Sequence, residues 1–285
     1  MKGFINVIKP SGVSSAYCVA QVKKKTGQPC GHMGTLDPMA SGILPVGVGK
    51  TSRLFRYMLN KEKTYVAEFK FGISTDTLDT TGEITLSGGK IPTENQINAV
   101  INEFVGEINQ VPPKYSAKCV DGKRGYALAR AGVDFTLEPK KVKIIEFSLI
   151  GMTGEDTYKF KIRCGGGTYI RSLAKDLGER LDTCAVMSAL DRTECGIFNY
   201  ENGICLSEIK SLDIEELKAR SVPADESVNF EKLYLDEYRS TRILNGVFDN
   251  YGYKDGVYRV YACGDFWGIG RAESGVLKME AYVKD

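Results

Sequence analysis

Apolar positions recur every second residue in some stretches of the chain and every third or fourth in others. Tyr65, Ala67, Phe69 and Phe71 alternate with Glu68 and Lys70, and Tyr158, Phe160 and Ile162 alternate with Lys159, Lys161 and Arg163. A period of two puts one side of a strand against a core and the other in water, so both stretches read as half-buried strands. Phe4–Ile8 and Ile43–Val48 read as strands too, the first ended by Pro10-Ser11-Gly12. Ile170, Leu173, Ala174, Leu177 and Leu181 form one stripe at helical spacing, predicting a helix over Thr168–Leu181 that the second alternating strand enters through Gly165-Gly166-Gly167. Thr93–Phe104 reads as a helix. Another runs from a Ser14 or Ser15 cap to Gly27, with Lys23, Lys24 and Lys25 in its last turn, where cations suit the macrodipole. Gly31–Ser41 between them reads as a loop.

Towards the C-terminus the pattern changes. Ser207–Glu237 carries nine acids, and Ser221–Asp225 within it reads as a linker. Beyond it come short aromatic strands with glycine turns, Gly256–Ala262 and Asp265–Gly270. With 285 residues and no internal repeat, the expectation is an α+β protein. A large domain over residues 1–228, a mixed sheet flanked by helices, precedes a small β-rich domain over 229–285.

Composition adds little until its distribution is considered. The chain is 42% hydrophobic and nearly neutral at +2. Yet Met1–Asn60 holds eight basic residues against the single acid Asp37, and Lys114–Lys143 holds eight against three. Charge gathered in two segments suits a polyanionic partner, although solvated loops would give the same counts. The N-terminus lacks the apolar run of about 7–15 residues of an export signal. No stretch approaches the roughly 18 apolar residues of a membrane span. The eight cysteines are scattered without a C-x-x-C pair and His32 is the sole histidine, so a zinc site has almost no ligands. A reduced, cytoplasmic protein without a metal is expected.

Three stretches are candidates for chemistry. Gly47-Val-Gly-Lys50-Thr51-Ser52 resembles a phosphate loop, but the motif needs glycine at 44, where Leu44 stands, so a turn after a strand is the better account. In Gly31-His32-Met33-Gly34-Thr35-Leu36-Asp37-Pro38, Asp37 reads equally as a turn cap before proline or as a carboxylate kept ionised by a basic field and available as a nucleophile. His32 reads as a loop histidine or as a ring that stacks on RNA. In Gly167-Thr168-Tyr169-Ile170-Arg171-Ser172-Leu173, Tyr169 and Arg171 flank the buried stripe near a helix N-terminus, as a surface pair or an anion-facing one.

Taken together these motifs resemble the bacterial tRNA pseudouridine-55 synthase (TruB) family. The stretches that carry the resemblance are Lys9-Pro10-Ser-Gly-Val-Ser-Ser15, Gly31–Gly42, Lys63-Thr-Tyr65, Phe71–Asp79, Pro112–Ala117, Gly167–Ala174 and Leu190-Asp-Arg-Thr193, in family order. The resemblance implies a pseudouridine synthase catalytic domain with a shortened PUA-like RNA-binding tail. It implies isomerisation of uridine 55 in the tRNA T-loop by a monomer that binds T-loop and stem, without metal, nucleotide or other cofactor. Asp37 would be the catalytic carboxylate, attacking C1′ or assisting a glycal route, with Arg171 as its partner. Tyr65 would stack on the flipped base and take part in proton removal, His32 would fill the space the nucleotide leaves, and Tyr169 and Leu190 would line the uracil pocket. Met33 stands where the family often has a smaller or polar residue, and Gly165-Gly166 replaces a more polar stretch that can carry lysine. Alternatives are a catalytically silent RNA-binding module, a synthase for another uridine and a phosphate-loop nucleotidase.

Overall fold

The structure is a computed structural model that describes residues 2–58, 62–116, 119–120, 123–133 and 135–284. Met1, Asn60, Ala117 of the Pro112–Ala117 motif and Lys118 of the second basic segment lie outside the described residues. The chain divides into two compact units, one of Met1–Pro38, Gly42–Asn60 and Gly196–Asp285, the other of Met39–Ser41 and Lys61–Cys195. This division falls elsewhere than at 228/229. Residues 231–282 make a sheet of their own, yet it groups with the N-terminal segments.

In the first unit, strand Gly3–Lys9 lies antiparallel to strand Ser41–Val48, with Phe4 opposite Gly47 and Lys9 opposite Gly42. Its other edge takes Ile204–Cys205 in parallel and Val222–Pro223 antiparallel. The Phe4 ring packs between Phe55 and Phe198, and buried Asn6 donates to the Asn199 carbonyl at 2.8 Å. The helix expected after Ser14 runs over Ser15–Thr26: Ser14 accepts from the Tyr17 N–H, and Gly27 ends it in the left-handed conformation at φ 66°. Cys30–His32 forms a three-residue strand on Ser41–Val48, so the Gly31–Ser41 loop begins later than expected. The turn after Gly47 leads into a 3-10 helix, Gly49–Tyr57.

The Ser221–Asp225 linker is not there. Val222–Pro223 is strand, Ala224–Ser227 is a 3-10 turn with Ser227 buried, and Asp225 accepts from the Tyr261 hydroxyl at 2.8 Å. The polar, proline-containing composition that suggested a tether is explained by these long-range partners. The tail that follows is a five-stranded sheet in the order Glu231–Leu235, Gly256–Ala262, Asp265–Glu273, Gly275–Tyr282, Asp249–Tyr253. Its core is Leu235, Ile243, Tyr258, Val260, Ala272 and Leu277. It is tied to the 3-10 helix by Tyr57, whose hydroxyl donates to Glu280 at 2.7 Å, and by Arg56, which donates to the Glu280 carbonyl at 2.7 Å.

The second unit is an antiparallel sheet in the order Ala185–Cys195, Lys63–Phe71, Thr157–Cys164, Lys140–Gly154, Gly106–Gln110. The alternation read from sequence is realised. Phe69, Phe147 and Phe160 pack on the apolar side, with ring centroids 4.7 Å apart for Phe69 and Phe160. The other side carries cross-strand ion pairs, Glu68 with Lys159 and Glu146 with Lys161, each at 3.2 Å. Helix Ile170–Arg180 covers the apolar side and approaches so closely that a Cβ at Gly178 would lie 2.6 Å from the Ala185 nitrogen, which only glycine allows. The helix expected over Thr93–Phe104 is α-helical only to Val100, with a Thr93–Gln96 capping box, and tightens to 3-10 over Ile101–Phe104. Among the described residues no helix is long and apolar enough to cross a membrane.

Candidate active site

Asp37 is half-buried in the first unit, in a loop without regular structure, and the residues on either side of it are fixed. Ser15 grips Leu36 from both ends: its hydroxyl donates to the Leu36 carbonyl at 2.8 Å and accepts from the Leu36 N–H at 2.9 Å. The Pro38 carbonyl accepts from the Gly12 N–H at 2.8 Å and from Lys9 Nζ at 3.2 Å. Lys9 is wholly buried, and a buried ammonium is held by strong, charge-assisted bonds to carbonyls. The Lys9–Ser15 motif is therefore a cradle for the Asp37 loop. Both His32 and Met33 lie at its entrance. His32 is half-buried opposite Val46, and the Met33 N–H donates to the Pro45 carbonyl at 3.0 Å. The Met33 side chain is buried, so the departure at this position is absorbed as core packing.

Tyr65, Tyr169, Arg171 and Leu190 belong to the second unit. Tyr65 and Leu190 sit on neighbouring strands, Tyr65 opposite Arg192 and Leu190 opposite Ala67, so the two side chains share the apolar side as near neighbours. Burial drives the Tyr65 phenol well above its ordinary pKa, and the Arg192 guanidinium, hydrogen-bonded to it, offsets this only in part. The phenol is protonated at neutral pH. It can donate a hydrogen bond but is a poor base. Two residues earlier, Lys63 lies between Cys164 and Cys195, and burial lowers its ammonium below the usual lysine value.

Arg171 is buried in the first turn of its helix, where the macrodipole disfavours a cation. Specific bonds compensate. Nη1 donates to the Thr77 carbonyl at 3.0 Å and Nη2 to the Tyr115 carbonyl at 2.9 Å, and Nη1 lies 3.5 Å from the Asp79 carboxylate. Asp79 is itself held by the Thr77 hydroxyl at 2.8 Å and the Thr81 N–H at 3.0 Å. The guanidinium thus pins two loops and a buried carboxylate. Tyr169 is half-buried at the N-cap, its backbone bonded to Gln110. The Gly165–Gly167 turn turns left-handed at Gly167, φ 86°, where an added Cβ would lie 3.2 Å from Lys140 Nζ. A lysine from another strand therefore stands over the turn that lacks one in sequence.

Sequence reasoning missed Asp79, Gln110, Arg192 and the roles of Lys9 and Ser15. Lys9, Ser15, Asp79 and Arg192 lay inside the quoted motifs. The signal that could have found them is chemical: buried polar residues must be hydrogen-bonded, and motifs rich in Lys, Ser and Asp around a candidate nucleophile supply such bonds.

With this geometry in place, residues 22–170 match the TruB family pseudouridylate synthase (N terminal domain). The chain belongs to that family. It is 40% identical over 277 residues to the tRNA pseudouridine synthase B of Caldanaerobacter subterraneus subsp. tengcongensis, covering 95% of each chain. It is 38% identical to the protein of the same name from Clostridium perfringens, covering 98% of each. Among solved structures it is similar to one in a Cbf5-Nop10-Gar1 complex, with a TM-score of 0.73, 26% identity and coverage of 99% of this chain and 85% of that one. The family's kinship runs from the Lys9 cradle through the tail sheet, since the relatives are matched almost end to end.

Proposed function

We propose that this chain isomerises uridine 55 in the T-loop of tRNA to pseudouridine, as a cytoplasmic monomer that binds the T-loop and stem. The observation that carries the reading is an aspartate fixed through both its neighbours, in a chain kin over almost its whole length to proteins named tRNA pseudouridine synthase B. In this reaction N1–C1′ breaks, the uracil turns while held, and C5 bonds to C1′. Asp37 acts at C1′, where a carboxylate either attacks or stabilises positive charge. Tyr65 stacks on the flipped base and presents a protonated hydroxyl to it. Tyr169 and Leu190 line the uracil pocket and His32 fills the space the nucleotide leaves, replacing part of the stacking that flipping costs. Arg171 supplies the cation of the site and needs neither metal nor cofactor to do so. Residues 229–285 serve as a PUA-like RNA-binding domain that raises affinity.

The test is Asp37→Asn, assayed by tritium release from tRNA carrying 5-tritiated uridine, since forming C5–C1′ expels that hydrogen. The amide is nearly isosteric, so folding and tRNA binding survive while turnover is abolished. Near-wild-type release by folded Asp37→Asn would remove Asp37 from the mechanism, and a wild-type protein that binds tRNA but releases no tritium would make it a silent RNA-binding module.

A further inference from the structure

We propose that Gln110 is a positioning residue for Tyr169, fixing its backbone so that its ring is set for the uracil; this rests on the reading of the chain as a uridine-isomerising synthase. Gln110 ends strand Gly106–Gln110 and is 1% exposed. Its whole amide is spent on one residue. Oε1 accepts from the Tyr169 N–H at 2.8 Å, and Nε2 donates to the Tyr169 carbonyl at 3.1 Å. These two groups belong to the peptide planes before and after the Tyr169 Cα, so holding both fixes the direction of its Cβ.

The need for such a clamp is written in the helix. Tyr169 occupies the N-cap, where Ser, Thr, Asp or Asn would bond back to the first turn, and it makes no side-chain cap bond. A ring stands where a capping group is favoured, so local stability is exchanged for a side chain useful to the site. The cap residue's N–H, one of the four a helix start leaves unpaired, is satisfied by Gln110 instead. The ring amplifies small errors: a tilt of about 10° at the Cα moves the phenol oxygen by about 1 Å, and misplacement on that scale costs about a hundredfold in rate. The seam continues beyond Gln110. The Ser172 hydroxyl donates to the Val111 carbonyl at 2.7 Å and Arg171 to the Tyr115 carbonyl at 2.9 Å. Among these bonds only those of Gln110 reach Tyr169, and they hold both sides of its Cα.

Two variants separate positioning from mere packing. Gln110→Met keeps length and apolar bulk but removes both bonds. Gln110→Glu can accept from the Tyr169 N–H, but donates to the carbonyl only when protonated. With tRNA carrying 5-tritiated uridine, Gln110→Met is expected to lose about tenfold or more in kcat, with KM and tRNA affinity within about twofold of wild type. Gln110→Glu is expected to recover kcat relative to wild type as pH falls and its carboxyl gains the missing proton, a response that a structural role would not give. Should Gln110→Met fail to fold, the pH response of Gln110→Glu decides. Wild-type kcat in folded Gln110→Met, or a Gln110→Glu profile parallel to that of an active wild type, overturns the inference alone. An inactive wild type in the same assay overturns the functional reading beneath it.

Discussion

The Asp37 loop is held from outside, whereas Arg171, in the first turn of its helix, does the holding. Asp37 rides on irregular backbone, and its neighbours are gripped by side chains from the distant Lys9–Ser15 motif. Tyr65 and Leu190 need little such help, because paired strands already fix their directions, and Arg171 itself does the gripping of loops around it. Asp37 is thus carried on a loop made rigid from outside, while Tyr65, Leu190 and Arg171 stand on elements rigid in themselves. The comparison predicts that damage to Arg171 spreads to several loops, whereas damage to the Asp37 cradle stays with one loop.

The largest effect should come from Arg171→Lys. An ammonium cannot span the Thr77 and Tyr115 carbonyls and Asp79 together. Denaturant unfolding should show a loss of about 2–4 kcal/mol, below the cost of deleting a buried charge, and turnover should fall about a hundredfold. A variant of wild-type stability would show that the guanidinium is not what joins these loops. Next comes Tyr65. Tyr65→Ala removes a stacking ring of about 1–3 kcal/mol and should weaken both binding and rate. Tyr65→Phe should spare KM and lower kcat. Because burial holds the phenol protonated, the wild-type kcat profile should show no tyrosine ionisation below about pH 10. A limb in that range would contradict the protonated hydroxyl.

Smaller again is Ser15→Ala, which frees both backbone groups of Leu36. We expect about 1–2 kcal/mol lost in stability and kcat lowered about tenfold at unchanged tRNA affinity. An unaltered kcat would mean that Lys9 and Gly12 hold the loop unaided. The smallest concerns Asp176, in the same helix as Arg171 but away from its first turn. Burial raises its carboxyl to about 6, against about 4 in the unfolded chain. Between those values the folded protein binds more protons, so stability falls as pH rises from about 4 to about 6 and stays lower above. Asp176→Asn should remove that slope and add about 1 kcal/mol at pH 7, allowing for solvent screening at a partly exposed group. Equal stability of the two proteins at pH 7 would show that the burial is not felt.

Elements with strong periodicity were legible in the sequence, including strands Lys63–Phe71 and Thr157–Cys164 and helix Ile170–Arg180. The core side of each follows from its apolar positions. What was not legible depends on partners far along the chain. Val222–Pro223 looks like a tether because nothing local shows that Gly3 and Phe4 will pair with it. Cys30–His32 is too short to carry a period. Residue types near Asp37 and near Arg171 announced chemistry, but which partners Gln110 and Asp79 bond to depends on tertiary proximity, which a polar residue in a mixed pattern does not reveal.

Strand Gly3–Lys9 has one edge against residues 42–47 and the other against residues 204–205 and 222–223. During vectorial synthesis the first edge can pair early, but its second stays open while more than a hundred and fifty residues are added. An open strand edge is a template for other chains, and pairings so distant in sequence form slowly. Residues 61–195, which make up nearly all of the second unit, can meanwhile fold as they emerge. The oldest strand of a nascent chain therefore keeps one edge open until residues 204–223 have been made.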